Sequence, residues 1–137
     1  MYLGIDFGTK RIGLAVGKEI PYELATLINQ ADVFEKIARL CNQEKIERIV
    51  IGMPVFESED AGSLAPEVEK FGQKLKLLTK LPIYFEAENL TTQAALELLR
   101  EEGATPEEIE DKVDQTAARL ILEQYIANEE ESSQEAL

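Results

Sequence analysis

The run RIVIG at Arg48–Gly52 limits the fold more than any other stretch of this chain. It is continuous and rich in β-branched residues, with none of the polar alternation of a strand that keeps one face in water. Such a strand is buried on both faces, as happens inside a parallel sheet covered by helices. Upstream, residues 2–16 (YLGIDFGTKRIGLAV) read as two strands joined by a tight turn at Gly8-Thr9. Glu23–Ile28 reads as a third strand, at an edge. Asp32 opens a helix whose apolar face is Val33, Phe34, Ile37, Ala38, Leu40 and Cys41, running to about Gln43.

After Met53-Pro54 ends the RIVIG strand, residues 55–63 read as a polar loop and Leu64–Thr79 as a helix with Val68, Phe71, Leu75 and Leu78 inward. Pro82–Phe85 is a short strand broken by Glu86-Ala87-Glu88-Asn89. Thr91 or Thr92 caps a helix reaching Glu102, with Gly103 as its terminating glycine. Thr105-Pro106-Glu107-Glu108 is a capping box with proline in the first helical position, opening a last helix to about Asn128. Strands alternating with helices imply right-handed crossovers returning parallel to the first strand. The expectation is one α/β layered domain over residues 1–127 and an acidic, solvated, disordered tail over 128–137.

Residue types narrow the chemistry. The chain has no histidine, which excludes a Ser-His-Asp triad, a His–Cys zinc site and a histidine general base. The one cysteine, Cys41, cannot form an intramolecular disulfide and reads as core filler. No apolar run approaches the ~20 residues a bilayer span needs, and the N-terminus has no basic leader, so the expected location is cytoplasmic, away from membranes. Acid–base or metal chemistry has to come from carboxylates. The net charge is −13, unusual for a protein that grips phosphates with Lys and Arg. Much of the surplus lies in residues 101–114 and in the tail, and discounting the four tail acids still leaves −9.

Three carboxylates stand out. Asp6 sits in an apolar run between Ile5 and Phe7, where lost hydration costs several kcal/mol unless a cation or hydrogen bonds offset it. It suits a metal or phosphate site beside flexible glycine backbone, or it simply starts the turn with bonds to the N–H groups of Gly8 or Thr9. Asp114 precedes the nearly all-apolar AARLILEQYIA by one turn, on the line continued by Ile121 and Tyr125. It points to the packed side of the last helix, or it caps a second helix start after a kink at Lys112-Val113. The small Ala117 and Ala118 would let that helix lie close to the sheet. Glu88 follows the PIYF strand at the end where ligands of α/β sheets gather, unless it is a solvated loop residue. Three converging carboxylates without histidine can hold Mg²⁺ or Mn²⁺, and two ions ~4 Å apart stabilise both attacking and leaving oxygens of a phosphodiester.

GIDFGTKRIGLAV, IVIGMP, the ENLTT segment at Glu88–Thr92 and VDQTAARLILEQYI at Val113–Ile126 resemble the four blocks of the YqgF family, over residues 1 to about 127. These small RNase H-like proteins are described as Holliday-junction resolvases and as nucleases of the 5′ end of pre-16S ribosomal RNA. The resemblance implies an α/β fold with an RNase H-like mixed sheet and helices on both faces. It matches the family's catalytic, metal-binding carboxylates to Asp6, Glu88 and Asp114. The chain departs from the pattern where the family has Asp-Glu-Arg, here Ala87-Glu88-Asn89, in the loop Val55–Gly62, and in the acidic run before the last helix. If Ala87 replaces a metal ligand, Glu86 is the carboxylate that could take its place.

The leading expectation is a metal-dependent nuclease acting on structured RNA or branched DNA. Gly8, Thr9, Lys10 and Arg11 would contact phosphate, and the acidic surface would weaken that binding. Resolution of a four-way junction would require a symmetric homodimer, although no stretch marks a dimer face. The alternative is a catalytically weakened RNase H-like module that binds a protein through its acidic surface. DFGT also resembles the first phosphate loop of actin-like ATPases, but 137 residues hold no second loop or lobe.

Overall fold

The computed structural model describes residues 1–54, 59–88, 91–129 and 135–137, with residues 59–63 described by their backbone alone. Its elements are β1 (Tyr2–Phe7), β2 (Arg11–Gly17), β3 (Tyr22–Ile28), α1 (Val33–Gln43), β4 (Arg48–Pro54), α2 (Glu59–Thr79), β5 (Ile83–Glu88), α3 (Thr91–Glu101) and α4 (Pro106–Ala127). The sheet runs β3-β2-β1-β4-β5. The first three strands form an antiparallel meander, and β4 and β5 join parallel to β1. It is the mixed sheet expected, with β3 at an edge.

Alternation along each strand divides the core in two. Leu3 and Ile5 of β1, Ile49 and Ile51 of β4 and Ile83 of β5 face α1 and α2, where they pack on Ile37, Cys41, Val68, Phe71 and Leu75. Burial pushes the Cys41 thiol up to about 11, as befits an inert core residue. On the opposite face Tyr2, Val50 and Tyr84 meet Ile121, Leu122 and Tyr125 of α4. Helix α3 packs on the outer side of α4 through Ala95, Leu99, Val113 and Ala117. RIVIG is thus covered on both sides, as its composition required.

Several boundaries differ from the sequence reading. Helix α2 begins at Glu59 rather than near Leu64 and carries Pro66 inside it. Residues 59–63 read as loop because they are polar and contain Gly62, and tertiary context overrides that weak preference. The rest of the expected polar loop, residues 55–58, lies outside the described residues. Leu78 is 55% exposed beside an exposed Leu77. The buried stripe steps by three and four through Val68, Phe71 and Leu75 and continues to Thr79, whose hydroxyl donates to the Leu75 carbonyl at 2.8 Å. Strand β5 extends through Glu88 because Glu86 acquires partners: Gln124 donates to its Oε2 at 2.6 Å and Asn128 at 3.4 Å. Helix α3 ends one residue early at Glu101, with Gly103 at φ +81° after it.

Helix α4 is continuous over 22 residues, which removes a second start at Asp114. The capping box is present: Glu108 N–H donates to Thr105 Oγ1 at 3.2 Å and Thr105 N–H to Glu108 Oε1 at 2.9 Å. At the tail's end, Ala136 N–H donates to the Ile83 carbonyl at 2.8 Å, Glu135 pairs with Lys76 at 2.6 Å, and Leu137 packs against the α1–α2 core. Among the described residues no helix is long and apolar enough to cross a membrane.

Candidate active site

Strand alternation places Tyr2, Gly4 and Asp6 on the α4 face of β1. The helix lies almost directly on the sheet because three strands present glycine to it. A Cβ on Gly4 would stand 2.9 Å from the Ala118 carbonyl oxygen, and one on Gly13 only 1.9 Å from that of Asp114. Gly13 is the β2 partner of Asp6. The contact of α4 with Gly13 therefore brings Asp114 over the end of β1. On β4, a Cβ at Gly52 would come within 2.8 Å of Glu88 Oε2 and 2.5 Å of Ile121 Cδ1. Small residues are needed on both sides of this interface, and the sequence reading had found only the helical half, Ala117 and Ala118.

Asp6, Glu88 and Asp114, from three elements far apart in sequence, line one cleft of about 690 Å³. Asp6 and Glu88 share a hydrogen bond. Burial first, then the charges of Glu88 and Asp114, hold the Asp6 carboxyl well above the usual carboxylate range. Burial also raises Glu88, against the opposing effect of the Asp6 hydrogen bond. This is how neighbouring carboxyls behave in a low-dielectric cleft: they retain a proton between them rather than carry two charges. Nε of Arg11 lies 2.9 Å from Asp114 Oδ2. The contact is one of charge alone, because that buried oxygen receives no directed hydrogen bond.

Among the described residues, no three acidic, histidine or cysteine side chains are drawn together tightly enough to enclose a cation as they stand. The donor chemistry nevertheless fits a hard divalent ion. All three groups offer oxygen, Asp114 Oδ2 is buried without a directed donor, and the crowding of Asp6 by Glu88 and Asp114, which helps raise its carboxyl, is a repulsion that a cation would relieve.

The turn residues behave differently from one another. Gly8 lines the cleft, while its carbonyl accepts from Asn29 Nδ2 at 2.9 Å. Thr9 and Lys10 are exposed, and the Lys10 carbonyl accepts from Asn29 N–H at 2.9 Å. Arg11 turns back toward Asp114 and, at 4.0 Å, Glu110. Glu86 does not line the cleft, because Gln124 and Asn128 hold it lower on the α4 face. Ala87 alternates to the other side of β5 from Glu88. Asn89 lies outside the described residues.

The sequence reading missed two contributors to the cleft. The first turn of α3, Thr91 to Gln93, forms part of its wall, and the positive end of a helix dipole favours an anion there. Arg100 also lines it and is exposed, with no ion pair among the described residues. Its signal was faint: it follows Leu96, another cleft residue, by one helical turn.

The family profile described as "RuvX: Holliday junction resolvase" matches residues 1–128. A protein of Protochlamydia amoebophila named "Putative pre-16S rRNA nuclease" is 40% identical over 136 residues, covering 90% of this chain and 91% of that protein. One of the same name from Thermosynechococcus vestitus is 35% identical over 130 residues, covering 90% and 85%. Among solved structures, T. thermophilus RuvC in complex with a Holliday junction substrate superposes with a TM-score of 0.57 at 14% identity, covering 92% of this chain and 94% of that one. That likeness is one of fold, and it agrees with the RNase H-like sheet. From the profile and these relatives together, the chain belongs to the RuvX family, the nuclease family that its four sequence blocks resemble.

Proposed function

We propose that the cleft between β1, β5 and α4 hydrolyses phosphodiester bonds in structured RNA, with Asp6, Glu88 and Asp114 holding Mg²⁺ or Mn²⁺. The observation that carries this reading is the meeting of three carboxylates from distant parts of the chain in one cleft, with one buried oxygen left without a donor. The ion, when bound, supplies positive charge to the phosphoryl oxygens and makes water a better nucleophile. Arg11 keeps Asp114 oriented by charge without saturating its oxygen. Lys10, Arg100, Gly8, Thr9 and the first turn of α3 contact the phosphates flanking the reacting one.

RNA is preferred as substrate because the curated relatives carry a pre-16S ribosomal RNA name, and the family description makes four-way DNA the competing substrate. The test is cleavage of a ribosomal RNA precursor fragment and of a four-way DNA junction with Mg²⁺ or Mn²⁺. Cleavage of RNA that disappears in Asp6→Asn is expected. Unchanged cleavage in Asp6→Asn would overturn the assignment, and cleavage of the junction alone would replace RNA by DNA.

A further inference from the structure

A second groove, of about 290 Å³, opens beside the cleft and shares Phe7 with it. Its floor is aromatic. The Phe7 and Phe71 ring centroids are 4.9 Å apart and those of Phe34 and Phe71 5.1 Å apart, with tilted planes. Phe71 is buried, whereas Phe7 and Phe34 are only partly covered. Its rim carries Lys70 and Lys74, both exposed and neither ion-paired among the described residues, and one carboxylate, Glu67. Lys74 Nζ lies 4.8 Å from the Phe34 ring centroid, over a face that a flat ligand would use. On its flexible stem that ammonium can swing out to an anion. Asn29 closes the end nearest the turn, and its bonds to Gly8 and Lys10 tie groove and cleft together.

We infer that this groove binds one unpaired nucleotide of the RNA strand beside the scissile phosphate, its base stacked on Phe34 and its phosphate held by Lys70 and Lys74. The inference rests on the nuclease reading for its strand, but on different residues. Aromatic faces beside unpaired ammonium groups are the pair of features single-stranded nucleic acid requires. The lysines are conspicuous on a chain of net charge −13, where exposed bases are the minority. The outcome is a preference for RNA with unpaired nucleotides at the cleavage point, something a cleft of carboxylates cannot confer.

The test uses the full chain carrying Asp6→Asn, so that nothing is cleaved, and a single-stranded RNA hexamer with one 2-aminopurine. Binding should quench the fluorophore. Phe34→Leu, which keeps an apolar side chain and removes the ring, should weaken binding about ten-fold and abolish the quench. Lys70→Gln with Lys74→Gln, on the exposed face of α2, should weaken binding and flatten its salt dependence. These exposed substitutions serve if Phe34→Leu fails to fold by circular dichroism. Absence of quenching, or wild-type affinity and quenching in the variants, would overturn the groove. Cleavage by the unaltered protein, abolished by Asp6→Asn, would leave the nuclease reading standing in that event.

Discussion

Gly13 and Asp114 are in backbone contact: a Cβ on Gly13 would lie 1.9 Å from the Asp114 carbonyl oxygen. The neighbour is helical main chain, which cannot rotate away as a side-chain tip could. Gly13→Ala must therefore lift the start of α4 off β2. The expected cost is about 3 kcal/mol, the upper end for overpacking, seen as a lower urea midpoint and accompanied by loss of cleavage. A midpoint within error of the unaltered protein would contradict the contact.

Gly52 differs in kind, because what its Cβ would meet are the ends of two side chains, Glu88 Oε2 and Ile121 Cδ1. These can move. Gly52→Ala should cost only about 1 kcal/mol while displacing the Glu88 carboxylate. Cleavage should fall at least ten-fold with the melting temperature lowered by a few degrees. Equal losses in Gly13→Ala and Gly52→Ala would argue against the distinction.

The pH dependence of stability follows from Asp6. Its folded-state carboxyl is held well above the ordinary range by burial and by Glu88 and Asp114. The folded protein thus binds this proton more tightly than the unfolded chain does. The stability it contributes is full below the unfolded value of about 3.9 and is lost as pH rises through the folded value. Asp6→Asn, which cannot ionise, should stabilise the fold at pH 8 in EDTA by about 1 kcal/mol or more, read as a higher melting temperature. At pH 3.5 the difference should vanish. An Asn variant less stable than the natural protein at pH 8 would contradict this sign.

Arg48 anchors the opposite end of α4. It lies over the rings of Tyr2 and Tyr84, 4.6 and 4.9 Å from their centroids, donates to Tyr125 at 2.8 Å and pairs with Glu129 at 3.0 Å. Tyr2 donates to the same Glu129 oxygen at 2.6 Å. Burial and that bond push the Tyr2 phenol up to about 12. Arg48→Met should cost about 2 kcal/mol in a denaturant titration yet leave cleavage unchanged at a permissive temperature, since Tyr2 and Asp6 are ~13 Å apart along the strand.

How much of this was legible in sequence depends on the range of the force involved. Asp6 was conspicuous because a charge amid Ile5 and Phe7 conflicts with its immediate neighbours. RIVIG announced a doubly covered strand for the same local reason. Gly13 and Gly52 gave no such signal, because their need for hydrogen at Cα comes from a helix much later in the chain. The length of β5 was hidden likewise: Glu86 breaks an apolar run unless Gln124 and Asn128 are known to meet it. Arg11, read as a phosphate contact, turns to Asp114, a partner no local pattern announces.

The central claim is that Asp6, Glu88 and Asp114 close on a divalent cation, and anomalous scattering from a crystal soaked in Mn²⁺ tests it most directly. A peak within bonding distance of oxygens from all three side chains, absent in Asp6→Asn, is the predicted result. Manganese bound only elsewhere, or a cleft that keeps its Asp6–Glu88 hydrogen bond in saturating Mn²⁺, would contradict it.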